Sequence, residues 1–355
     1  MDTSNRRPLD RSGFEIAIIC ALPLETHAVL CSLDEIWHEA GQHYRKAIGD
    51  CNAYDYGRIG VHSVVVLTLG GMGKVKASTA AQSLKMSFSS IKLSLLVGIC
   101  GGAPFKSDGS EIILGDVILS ESIVEFDFGR RYHGHLVSKN TILDVHGRPN
   151  EEILGLLQRW KVPSLLAHLR ERSWQHLKSL LEHPLVQTVY PGQEEDKLFP
   201  AYYIHRHHSH CVDCDAIGSG CGIAMEASCV DLQCEERRLV PRRRLNAELL
   251  PEHGLPIPSI HFGTIGTSDS VMKSAQDRDE YAQSRGIVAF EMEGAGVWNK
   301  FNSLIIKGVC DYSDSHKSKK WQHYAAAVAA SVAKEVLSQY VLAQRPQTEA
   351  FNSEI

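Results

Sequence analysis

Apolar residues recur along the chain in short, nearly unbroken runs separated by amphipathic stretches. The first run, residues 14–22 (FEIAIICAL), lacks the polar alternation of a half-exposed strand and predicts one buried on both faces. Pro23 then opens a predicted helix (PLETHAVLCSL), proline being suited to a first turn. Strand-like runs follow at 61–69 (VHSVVVLTL), 93–99 (LSLLVGI) and 115–125 (GDVILSESIVE), with a small-residue helix over 74–86. Two helices are predicted at 151–160 and 163–182. A polar stretch rich in His, Cys and Arg then runs from roughly 190 to 258 without clear period. Alternation resumes with a strand at 260–268, a helix at 270–285, a strand at 287–290, a helix at 291–301 and a strand at 304–310. A last helix over 321–342 carries Tyr324, Val328, Val332, Val336 and Tyr340 as one apolar stripe.

Both outer parts supply strands that would be incomplete alone. The pattern therefore predicts one α/β domain over 14–343, with a core of 14–148 and 259–343 and an insertion of about 149–258. A formal net charge of -5 gives no basic surface for nucleic acid, and no apolar run is long enough to span a bilayer. The polar N-terminus has no apolar signal core, so a cytoplasmic protein is expected.

Candidate chemistry collects at strand ends, where sites in α/β sheets form. The turns Gly70-Gly71-Met72-Gly73 and Gly98-Ile99-Cys100-Gly101-Gly102 either let backbone N–H groups approach a ligand or simply allow tight packing. In Phe290-Glu291-Met292-Glu293, two carboxylates flank one residue beside an apolar strand. They suit vicinal sugar hydroxyls, or equally the solvated first turn of a helix.

In sequence order, IAIICALPLE, LGGMGKVKAS, LLVGICGG, FGTIGTSDSV, VAFEMEGAGV and VCDYSD resemble the purine/uridine phosphorylase superfamily. The resemblance lies with the branch of methylthioadenosine/S-adenosylhomocysteine nucleosidases and their fungal relatives, and spans all but the insertion and tails. It implies a mixed, twisted, partly barrel-like sheet flanked by helices, no cofactor, a homo-oligomer, and a small purine nucleoside as substrate. It also implies that Glu293 binds the ribose hydroxyls, with Met292 beneath the sugar and Phe290 and Glu291 in the same wall. Asp311 is similar to the acid that protonates the leaving purine, although a turn carboxylate before Ser313 would look the same. Val271, Met272 and Gly101 fall where the family lines its pocket; Gly71 is a further candidate.

Phosphate-using members keep an arginine after the Pro-Leu pair, where this chain has Glu25, and a second where it has Leu96; Ile99 stands where a phosphate-binding serine is common. Glu25 instead matches the carboxylate with which the nucleosidases activate water, or it is an ordinary first-turn helix residue. The resemblance thus implies hydrolysis of the N-glycosidic bond. Phe128 can stack on a base and Arg130 and Arg131 can hold an anion, which keeps phosphorolysis as the alternative; a non-catalytic nucleoside sensor is a third. Five of the ten cysteines, Cys211, Cys214, Cys221, Cys229 and Cys234, crowd into the insertion near several histidines. A structural metal, disulfides and free thiols on a flexible loop all remain open there, while a catalytic metal is not expected.

Overall fold

A computed structural model describes residues 7–38, 43–133, 135–139, 146–245 and 255–342. The chain begins with β1 (Ile16–Cys20), buried throughout as its unbroken apolar run requires, and α1 (Pro23–Ser32). An antiparallel meander of β2 (Glu35–Ile36), β3 (Ala53–Ile59) and β4 (His62–Thr68) follows. Next come α2 (Lys74–Ser87), β5 (Leu93–Gly102), β6 (Val117–Glu125) and the hairpin β7 (Gly129–Tyr132) and β8 (His135–Ser138). Helices α3 (Glu151–Trp160) and α4 (Pro163–Leu181) lead into short α5 (Val212–Ile217) and α6 (Gly222–Glu226). Then β9 (Ile260–Thr267), α7 (Ala275–Arg285), β10 (Ile287–Glu291), α8 (Gly294–Trp298), β11 (Ser303–Asp311) and α9 (Gln322–Gln339) complete the chain.

The sheet runs in the order β10-β9-β6-β11-β5-β1-β4-β3-β2, and β10 pairs back onto β5. Five strands thus close into a ring while the rest extends as an open wing, a mixed sheet of the partly barrel-like kind the resemblance implies. The junction is β5. Its first half, Leu93 to Leu96, pairs in parallel with β1, whereas Gly101 and Gly102 pair antiparallel with β10. Between these contacts one edge of β5 is released, so its backbone groups there are available to side chains.

Predicted elements match observed ones closely, with three informative differences. The helix expected over 270–285 begins only at Ala275, behind a Ser274 cap that accepts from Asp277 N. The helix expected over 291–301 is cut to Gly294–Trp298, because Glu291 completes β10 and two glycines weaken the turn. The strand β3 (AYDYGRI) was not anticipated, since only the two-residue β2 covers its outer side and polar residues interrupt the apolar pattern.

The first part of the expected insertion joins the main core. Ile153, Leu157, Trp160, Leu169, Leu177 and Leu180 are buried in the cluster that also holds α9 and the sheet. Trp160 Nε1 donates to Gln339 Oε1 at 2.9 Å, and His176 Nε2 lies 3.0 Å from Glu335 Oε2. Among the described residues, no helix is long and apolar enough to cross a membrane.

The far part is anchored through Asp116, just before β6. The buried Asp116 carboxylate accepts from Ile113 N (3.0 Å) and Ser259 N (2.9 Å), pairs with Arg244, and lies 2.8 Å from His261 Nε2. Burial alone would raise its pKa, but His261 and Arg244 hold it well below the usual carboxylate range. A depressed carboxylate stabilises the fold fully above the unfolded Asp value, about 3.9, and loses that contribution as pH falls below it. Asp116→Ala should therefore cost about 3–5 kcal/mol at pH 7, by leaving the Arg244 charge without its partner. Urea unfolding at several pH values checks this: the deficit should shrink below about pH 4.

Candidate active site

The release of β5 from β1 creates the site. The side chain of Glu25, in the first turn of α1, turns back toward the sheet. Its Oε2 accepts from Ala21 N (2.8 Å) and Leu22 N (2.9 Å), and its Oε1 accepts from Ile99 N on the freed edge of β5 (2.7 Å). This is a buried carboxylate rather than a solvated helix-turn residue. Three of its four lone-pair positions are used, leaving one on Oε1. Gly98 allows this approach, because a Cβ there would sit 2.1 Å from Glu25 Oε1.

At the end of β11, Asp311 Oδ1 accepts from Ser313 N (2.8 Å), and its Oδ2 lies 3.0 Å from Lys317 Nζ. Ser313 sits at φ +52°, a conformation uncommon outside glycine, and its buried Oγ has no hydrogen-bond partner among the described residues. Gly101 is what makes room: a Cβ there would come 2.0 Å from Ser313 Oγ and 2.7 Å from Asp311 Oδ1. Both glycine-rich turns of the sequence thus border on functional groups, and at Gly98 and Gly101 the reason is close approach.

Glu291 and Glu293 divide their tasks. Glu291 Oε2 accepts from Glu293 N, and both its oxygens lie within 3.0 Å of Gly294 N, so that carboxylate caps α8. Glu293 accepts only a long contact from Gly73 N (3.4 Å) and so keeps acceptor capacity. Between them lies Lys307 of β11, fully buried, with Nζ 3.8 Å from Glu291 Oε2 and 3.5 Å from Glu293 Oε2. Burial works against its charge, yet Glu25, Glu293 and Glu291 together hold its pKa above the ordinary lysine value. In return, burial pushes the Glu25 and Glu291 carboxyls up, while Lys307 pulls both down.

These groups line one chamber of about 260 Å³. Glu25, Gly101, Val271, Met272, Phe290, Glu291, Met292, Glu293 and Asp311 all border it. Through Ser270, Val271 and Met272 it adjoins a wider cavity of about 730 Å³. Gly71 and Phe128 are not among its lining residues. In the first turn it is Met72 that borders the chamber, and Phe128 lies half exposed beyond β6 with Lys139 over its ring. Arg131 borders the wider cavity instead. Sequence reasoning missed Lys307, Ser313 and Lys317. The first had a signal, a single lysine inside the apolar run SLIIKGVC; the others lie in a polar loop with none.

Lys307→Met should destabilise the protein by about 3–5 kcal/mol at neutral pH, because a buried group of carboxylates loses its counter-ion. The Glu25 and Glu291 carboxyls, raised further, would cost stability as pH rises above their unfolded value of about 4.3. Denaturant melts at pH 5 and 8 should show the smaller deficit at pH 5; equal deficits would mean that Lys307 does not neutralise the cluster.

Residues 15–164 match the family model of the phosphorylase superfamily. A nucleotide-binding leucine-rich repeat (NLR)-like protein of Hyaloscypha variabilis is 30% identical over 343 residues, covering 95% of this chain; the chain spans 30% of that relative's length. Among solved structures, 5'-methylthioadenosine/S-adenosyl homocysteine nucleosidase of Helicobacter pylori superposes with TM-score 0.53 at 12% identity, covering 93% of this chain and 100% of that one. Futalosine hydrolase of the same organism gives TM-score 0.52 at 13% identity, covering 92% and 99%. A putative nucleosidase of the first kind from Francisella philomiragia gives 0.52 at 16%, covering 92% and 99%. At such identities the likeness is one of fold, and the match to the phosphorylase superfamily model runs from β1 to α3.

Proposed function

We propose that the chamber binds a purine nucleoside and hydrolyses its N-glycosidic bond, releasing free base and ribose. The observation that carries this reading is the setting of Glu25: a buried carboxylate with one acceptor position left, in a chamber whose lining offers no unpaired cation among the described residues. Lys317, the cation in that lining, is paired with Asp311. A phosphate dianion would meet a carboxylate where it needs positive charge, whereas a water molecule finds an acceptor for its proton.

In this reading water adds to C1′ as the bond to the purine breaks, and Glu25 takes the proton that water loses. Asp311 gives a proton to the purine nitrogen, so that the base leaves neutral, while the Lys317 ammonium balances the carboxylate left behind. Glu293 accepts from the ribose hydroxyls, Met292 and Phe290 supply apolar contact, and Val271 and Met272 face the base. Ser313 Oγ offers a further hydrogen bond to the ligand. The match to the phosphorylase superfamily model and the nucleosidase folds among the structural neighbours support a glycosidase acting on N-glycosyl compounds. The NLR-like relative supports a second reading, in which the same pocket holds a nucleoside without turnover as part of a longer protein.

Incubating adenosine, inosine, guanosine and methylthioadenosine with and without phosphate separates these readings. Free ribose or its 5′-thio analogue in phosphate-free buffer is expected; ribose 1-phosphate formed only with phosphate would establish the phosphorylase, and binding without product the sensor. Glu25→Gln and Asp311→Asn should each lower kcat by about 10²–10⁴-fold. Glu25 must be ionised to accept a proton and burial raises its pKa, so kcat/KM should fall on the acid side at a pH above the ordinary glutamate value of about 4.3. A pH–rate profile whose acid limb stays at the ordinary value would count against Glu25 as the base.

A further inference from the structure

The structure gathers the cysteines of the polar segment into two separate groups, each completed by a histidine that sequence reasoning had not paired with them. In the first, His207, Cys211, Cys214 and Cys221 place one ligand atom each within 4.8 Å of one another. In the second, His205, Cys229 and Cys234 do the same. We propose that the first group binds one Zn²⁺ through four protein ligands and that the second binds another through three.

The spacing of the ligand atoms carries the argument. Tetrahedral zinc, with Zn–S near 2.3 Å and Zn–N near 2.0–2.1 Å, sets sulfur and nitrogen ligands about 3.6 Å apart. His207 Nδ1 lies 3.5 Å from Cys214 Sγ and 3.6 Å from Cys221 Sγ. His205 Nδ1 lies 3.6 Å from both Cys229 Sγ and Cys234 Sγ. One imidazole nitrogen equidistant from two sulfurs is the arrangement a shared metal imposes. Disulfides would instead bring sulfurs to about 2.05 Å, and all these cysteines are free.

The surroundings fit as well. His205 Nε2 lies 2.9 Å from Ala227 O, so that nitrogen carries the proton and Nδ1 is left as the lone-pair donor. Cys221 N donates to Cys214 Sγ at 3.3 Å, a contact that favours a thiolate. Cys211 and Cys214 flank the first turn of α5, and Cys221 caps α6, which brings three sulfurs together from a short stretch of chain. Among the described residues this lobe has only a small apolar core. Its own apolar core is Cys214, Cys221, Ala224 and Leu232, half of it ligands, and its helices have six and five residues, far below the roughly 12–15 an isolated helix needs. Metal binding supplies folding energy in such lobes.

The second centre also reaches the catalytic loop. His205 N donates to Ser315 Oγ at 3.0 Å, and Ser315 lies between Asp311 and Lys317. His205, Gly220 and Met225 form one wall of the wider cavity that adjoins the chamber, so the metal lobe frames its entrance.

Elemental analysis of the full chain, purified reduced and without chelator, tests the proposal. Two equivalents of zinc per chain are expected, falling to about one in Cys214→Ser and about one in Cys234→Ser, with Cys51→Ser unchanged. Loss in Cys214→Ser but not in Cys234→Ser would overturn the second site alone. Should the variants fail to fold, cobalt substitution of the unaltered chain gives an independent measurement: visible absorption of tetrahedral Co²⁺ with thiolate charge transfer is expected. A metal-free chain whose lobe thiols react as fast as Cys51, iron in place of zinc, or a mass showing disulfides would each overturn both sites.

Discussion

One buried ammonium governs the arrangement of the candidate site. Three carboxylates, Glu25, Glu291 and Glu293, converge where the sheet excludes water, and such a concentration of negative charge is prohibitive without a counter-ion. Lys307 supplies it from the middle of β11, the central strand between β5 and β6. The remaining charge is absorbed by backbone N–H groups: Ala21, Leu22 and Ile99 on Glu25, and Glu293 and Gly294 on Glu291. The closed ring of strands, the released edge of β5 and the tight approach at Gly98 are all arranged around holding these charges still, which is what electrostatic catalysis requires of a scaffold.

Much of the fold was legible because buried strands in a mixed sheet are written as largely apolar runs, as β1, β4, β5 and β10 are and β6, β9 and β11 are with interruptions. The strand β3 was not, because beside the short outermost β2 it tolerates the aspartate, arginine and tyrosines that disguise it. Helix starts were misjudged where local contacts override periodicity. Residues 270–274 read as helix by composition but form an irregular segment along the cavities, and Glu291 reads as helix yet ends a strand.

The site was partly legible as well. Glu25, Glu293 and Asp311 sit at strand ends within recognisable motifs. Lys307 escaped notice because nothing in a one-dimensional pattern says which side of a buried strand faces a cluster of acids. Asp116 with Arg244 and His261 was invisible for a related reason: a tertiary ion pair over more than a hundred residues leaves no local periodicity. The cysteine-rich segment was conspicuous by composition, but the split into two groups depends on His205 and His207, whose roles follow only from how the segment folds back on itself.

The divided pairing of β5 bears on how the chain is made. Glu25 and β5 precede β10, β11 and Lys307 in the chain and so leave the ribosome well ahead of them. Until then Glu25 lacks Lys307 as its counter-ion and the far end of β5 lacks β10 and β11, so the nascent chain holds an unfinished edge. Pairing across some two hundred residues must come last, and ordering of the carboxylates around Lys307 coincides with closure of the ring. The candidate site is thus assembled in the same step that completes the ring of strands.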